Sequence, residues 1–147
     1  RAALMAYSTQ SDLEKQLPKE LLVQLTDDDG DGVIDSGIVP EAIQKADDEI
    51  NAYAATRYTV PFAPVPTLIK ALSVDLSIWN LYARRGRENE TVTKRYERAV
   101  QLLRDLAAGR ASLGETPGPA QTEAGLPEST TTVSDERIFT KDTLGNY

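Results

Sequence analysis

Three stretches of this chain place apolar residues at helical spacing and fence them with proline or glycine. The first, PEAIQKADDEINAYAATRY, opens at Pro40 and repeats Ile43, Ala46, Ile50 and Tyr53. It ends ahead of VPFAPVP, whose prolines impose an extended turn. The second, PTLIKALSVDLSIWNLYARRG, opens at Pro66, carries Leu68, Leu72, Leu76, Trp79 and Ala83, and stops at Gly86. The third, NETVTKRYERAVQLLRDLAAG, carries Val92, Tyr96, Val100 and Leu103 and stops at Gly109, with Asn89 or Thr91 as its cap. Steps of three and four put each set on one face of a helix. Proline suits a first helical turn because its missing N–H has no partner there anyway, and glycine suits the left-handed residue after a last turn. Two shorter helices precede these. Ser11 and Glu14 have capping-box spacing in SDLEKQL, and Pro18 opens PKELLVQL with Leu21, Leu22 and Leu25. The pattern predicts an all-α fold: a small bundle of three main helices plus two short N-terminal ones.

What the chain lacks narrows its chemistry. Its 147 residues, 40% of them hydrophobic, suit one modest core. It has no His and no Cys. A Ser-His-Asp triad, a Cys nucleophile, a His base and a Cys/His zinc site are therefore excluded, and no disulfide can staple the fold. Carboxylates are plentiful, but no pair sits in a recognisable catalytic context, so an enzyme is not expected. No apolar run approaches the ~20 residues that span a bilayer and no signal-peptide pattern opens the chain, so no membrane partner is expected. Residues 1–4 (Arg1 to Leu4), ahead of Met5, read as an expression remnant and stay outside the fold reading.

Charge is unevenly spread. Residues 1–64 hold 5 basic and 12 acidic side chains, residues 65–110 hold 9 and 5, and residues 111–147 hold 2 and 6. An acidic front and a basic middle can attract copies of the same chain head to tail. The basic middle includes Arg84, Arg85 and Arg87 at the end of the second main helix, the expected binding arginines; a merely solvated helix end is the plainer alternative. The overall charge of −7 argues against a DNA-binding regulator built on that stretch. Composition shifts after the last helix. The bundle is expected over residues 5–113, followed by a polar linker over 114–135 with Leu126 and Val133 as its only sizeable apolar groups. Residues 136–147 regain Ile138, Phe139, Leu144 and Tyr147. A sticky end behind a polar linker reads either as a docking segment or as a plain tail; a short strand in IFTKDTL is one option for docking.

The most pointed motif is LTDDDGDGVIDSG. Asp27, Asp29, Asp31, Gly32 and Asp35 fill positions one, three, five, six and nine of an EF-hand-like calcium loop. Val33 would lend its carbonyl at position seven, and Ile34 would face the core. Position twelve, normally a bidentate Glu, is Ile38, and Glu41 comes three residues late. Three readings stay open: a weak calcium site, a metal-free turn in which Asp side chains take nearby N–H groups, or an acidic patch meeting the basic region of a neighbouring subunit.

Several segments together carry a resemblance. MAYSTQSDLEKQL, LLVQLTDDDGDG, DDEINAYAATRYTVPF, LSVDLSIWNLYARRG, YERAVQLLRDLAAGRASLG and RIFTKDTLGNY, in that order, resemble the Mu-type phage gp36-like family, encoded among head and tail morphogenesis genes. That family is similar in size and helical pattern to head–tail connectors of long-tailed phages. The resemblance implies a structural virion protein without enzymatic activity, at the head–tail junction, assembled in the bacterial host cytoplasm. It implies a ring, in such adaptors usually a dodecamer, whose partners are its own copies, the portal protein and a tail-proximal stopper or tail-completion protein. Genomic DNA would pass through without specific binding.

Overall fold

The computed structural model describes residues 5–114. Five helices follow in order: α1 (Gln10–Glu14), α2 (Lys19–Thr26), α3 (Ile38–Ala54), α4 (Thr67–Arg84) and α5 (Glu90–Ala107). No strand occurs among the described residues. The described part of the chain is all-α, with three long helices and two short ones. Residues 1–4 and the expected linker and docking segment beyond Gly114, with Ile138, Phe139, Leu144 and Tyr147, lie outside the described residues.

Local signals set most boundaries. Asn89 caps α5, its side chain accepting the Val92 amide at 3.1 Å. Gly37, at φ 86°, precedes α3, which begins two residues before Pro40. Pro40 is harmless in that first turn because N–H groups there have no intrahelical partner. Pro18 and Pro66 stand one residue outside their helices, at the cap positions. The capping box of α1 corrects the expectation of Ser11 and Glu14: it is formed by Thr9 and Asp12. Asp12 wins because it is buried, takes the Thr9 amide and hydroxyl at 2.9 Å each, and pairs with Lys70 at 3.3 Å. Glu14 instead meets Gln10 on the surface.

Helix α4 packs against all four other helices. It supplies Ile69, Leu72 and Leu76 to a cluster with Ile50, Leu103 and Leu106. It also supplies Val74, Ile78 and Leu81 to a second cluster with Leu13, Leu22, Leu25 and Ile43. Neighbours on several sides bury more than one stripe. The expected single face is therefore wrong in detail: Leu68 is 37% exposed, Ala83 is exposed and Trp79 is half-buried against Tyr96. The stripes of α3 and α5 match their burial at Ile43, Ala46, Ile50, Val92, Val100 and Leu103.

A buried polar hub joins the N-terminal segment to this frame. Asp47 of α3 accepts the Tyr7 amide at 2.9 Å and the Ser73 hydroxyl at 2.6 Å, and the Ser73 and Ser8 hydroxyls lie 2.8 Å apart. The Tyr7 hydroxyl accepts the Phe62 amide at 3.0 Å and bonds to Asn51. Burial pushes the Asp47 carboxyl up, the Ser73 and Tyr7 donors pull it back less, and Asp48 adds repulsion. A hub of this kind satisfies its members without a cation, so ionising Asp47 costs stability.

Two outcomes follow for stability. Leu76→Ala should cost about 2–5 kcal/mol in urea unfolding, whereas Leu68→Ala should cost under about 1 kcal/mol. Equal costs would contradict the burial pattern. Asp47 is protonated more readily folded than unfolded, so its contribution is fully present below the unfolded carboxylate pKa, about 3.9, and is lost as pH rises through its raised folded value. Asp47→Asn should therefore gain on the native chain between acid and neutral pH; parallel stability profiles for the two proteins would refute this.

Candidate functional site

The acidic loop begins where α2 ends, and its geometry follows from alternating Asp and Gly. Asp27 accepts the amides of Gly30 at 2.6 Å and Gly32 at 2.8 Å. Asp29 accepts the Asp31 amide at 3.1 Å, Asp31 the Val33 amide at 2.9 Å, and Asp35 the Asp28 amide at 2.7 Å. Gly30 and Gly32 sit at φ 82° and 79°, the left-handed conformation that lets the chain fold back on itself. Asp27, Asp29, Asp31 and Asp35 each bring one oxygen within 4.8 Å of the others. Ile34 packs against the core, as its place in the motif requires, and Val33 is 60% exposed.

The electrostatics of the loop are divided. The Gly32 amide, helped by Gly30 and opposed by lost hydration, holds the Asp27 carboxyl below the usual range. The Asp31 amide draws Asp29 down, but lost hydration and the charges of Asp31 and Asp35 outweigh it and raise its pKa. A hard cation would relieve that repulsion, and the four carboxylates that converge here are the groups able to hold one. Ile38, at position twelve, packs against the core, and Glu41 pairs with Lys45 at 3.5 Å on the surface of α3. Neither completes the shell.

The arginines at the end of α4 converge on this loop within the same chain. Arg84 grips Asp28 with two donors, at 3.0 and 2.6 Å, and donates to the Leu25 carbonyl at 3.1 Å. Arg85 reaches the Leu25 and Asp27 carbonyls and stands 3.1 Å from Asp28. Arg87 donates to Gln24 at 3.3 Å. The last carbonyls of a helix lack intrahelical donors and carry partial negative charge, so two guanidiniums there both pair and neutralise the end of α2. The Arg84 donors, against some lost hydration, hold the Asp28 carboxyl low, and Asp28 in turn holds the Arg84 proton more firmly. The acidic front and the basic middle thus meet within one molecule at this point, the arginines anchoring the neck of the loop.

Other features were expected less clearly. Asp75 of α4 faces Arg95 of α5 at 3.9 Å, a pairing between helices that no periodicity encodes. The Asp47 hub went unread, although one signal was present: Asp47 lies four residues after Ile43, on the buried face of α3. The described part of the chain contains no helix long and apolar enough to cross a membrane.

Comparison with known proteins supplies the lineage. Residues 7–131 match the family described as Bacteriophage Mu, Gp36. Gene product J of Escherichia phage Mu is 28% identical over 145 residues, covering 96% of this chain and 99% of that protein. The Mu-like prophage FluMu protein gp36 of Haemophilus influenzae is 23% identical over 111 residues, covering 76% of this chain and 77% of its relative. The order of helices, the acidic loop and the arginine anchor described above therefore belong to a bacteriophage protein: the chain is a member of the phage Mu Gp36 family.

Proposed function

We propose that this chain is a non-enzymatic structural protein of the virion, a head–tail connector placed at the neck. Membership of the Mu Gp36 family carries the reading. A packed helical body with a polar stretch and an apolar end behind it suits a part that fits between larger parts. In this reading the copies form a closed ring, with a dodecamer as the expected size, through two different patches of one chain. The portal protein binds on one side and a stopper or tail-completion protein on the other. Ile138, Phe139, Leu144 and Tyr147 make the docking contacts, together with the outward parts of Arg84, Arg85 and Arg87. Genomic DNA passes through a net-negative ring without specific binding.

A phage carrying a stop codon in this gene tests the role. Cells infected with it should accumulate filled heads and full-length tails that stay unjoined, and supplying the protein should join them. Normal yields of joined, infectious particles without it would sink the connector reading.

A second reading is favoured by one observation, the four carboxylate oxygens within 4.8 Å. In it the loop holds calcium through Asp27, Asp29, Asp31, Asp35 and the Val33 carbonyl, making the body a calcium-binding interaction module. The missing acidic ligand at position twelve points to weak binding, on the order of millimolar. Calorimetric titration with calcium should then give heat that Asp29→Ala with Asp31→Ala abolishes. A flat titration, with no change in thermal unfolding, removes this reading and leaves the loop as a metal-free turn.

A further inference from the structure

Away from the acidic loop, the molecule has a cleft whose rim is cationic. It lies between α1, the first half of α4 and α5, and encloses about 360 Å3. Its carboxylates are at the floor: the Asp12 side chain is 9% exposed and that of Asp75 29%. Its cations are at the rim. Lys15 and Lys70 share one oxygen of Asp12, at 3.4 and 3.3 Å, with side chains 69% and 50% exposed. Arg95, 46% exposed, stands 3.9 Å from Asp75. Arg98, three residues further along α5, is exposed and also acts on Asp75. Three lining cations, Lys15, Lys70 and Arg95, against two sunken carboxylates leave positive charge facing outward. Burial raises the Asp75 carboxyl even beside these two arginines.

The chain carries a matching charge elsewhere. Glu115, Glu123, Glu128, Asp135 and Glu136 follow one another with no Lys or Arg among them. The route from the body starts at the far end of α5, where the Leu113 amide donates to the Tyr58 hydroxyl at 3.3 Å. From Arg95 to the end of α5 is roughly 18 Å at 1.5 Å per residue. The nine residues from Gly114 to Glu123 reach about 30 Å when extended. The cleft of the same molecule is thus within range of Glu123 and Glu128. Attachment gives such a segment an effective concentration on the order of millimolar, which favours its own cleft over that of a separate copy.

We propose that the acid-only segment of this chain, centred on Glu123 and Glu128, docks in the cleft of its own body against Lys15, Lys70 and Arg95. The contact sets the direction in which residues 136–147 leave the bundle. It concerns the isolated chain and does not depend on the neck reading.

The absence of native cysteine makes the test clean. Nitroxide labels go on Ala71→Cys, exposed at the cleft, and Ala124→Cys, beside Glu123, in the full-length chain. Electron–electron distance measurement at low salt should give one narrow peak. The peak should be lost at roughly 1 M salt, where the Debye length falls to about 3 Å. It should also be lost in Lys70→Glu with Arg95→Glu, and in Glu123→Gln with Glu128→Gln, which leaves the folded body untouched. Excess unlabelled chain should not change it. A broad distribution that ignores salt and both sets of substitutions overturns the proposal. A peak that disappears on dilution overturns it too, assigning the cleft to a second copy.

Discussion

The burial of α4 is the constraint on which the rest of this structure depends. A helix touched by four others cannot present one apolar stripe and one wet face. Its Ile69, Leu72 and Leu76 look into one cluster, and its Val74, Ile78 and Leu81 into another. Between them Ser73 and Ser77 are fully buried, Ser77 donating to the Ser73 carbonyl at 2.6 Å and Ser73 to Asp47. Larger side chains at these two positions would push the neighbours away; small hydroxyls let them close while staying hydrogen-bonded. The hub then holds the segment before α1, and α1 and α2 close over the second cluster.

Charge in this protein works locally more than globally. A count of signs along the chain suggests an acidic front and a basic middle that could attract other copies. In the folded chain part of that attraction is internal. Arg84 and Arg85 cap the end of α2 and hold Asp28, fixing the root of the acidic loop. Lys15, Lys70 and Arg95 gather at a different place, over Asp12 and Asp75. The exposed pairs add little stability, so their main effect is to orient segments.

What was legible in the sequence had short-range causes. The three long helices announce themselves through three- and four-residue steps, and Asn89 is a cap that needs only Val92 to be recognised. The clustering of Asp27, Asp29, Asp31 and Asp35 is legible for the same reason: spacing and two glycines determine it. The parts that were missed depend on distant partners. Thr9 displaces Ser11 as a cap because Asp12 is buried under Lys70, far along the chain. Leu68 is exposed while Ile69 is buried because four helices, not one, decide which side of α4 is covered. The grip of Arg84 on Asp28 spans 56 residues, and no periodicity encodes it.

In the connector reading proposed above, the molecule contributes a packed helical body, an anchored acidic loop and a charged cleft. Imaging an intact Mu-like virion by electron cryomicroscopy, at a resolution that traces side chains at the neck, tests this view most directly. The account predicts copies of this five-helix body in a closed ring between portal and tail, their last residues inserted into a neighbour. Density for the chain confined to the capsid shell or the tail tip, or a mature neck built without it, would contradict the account.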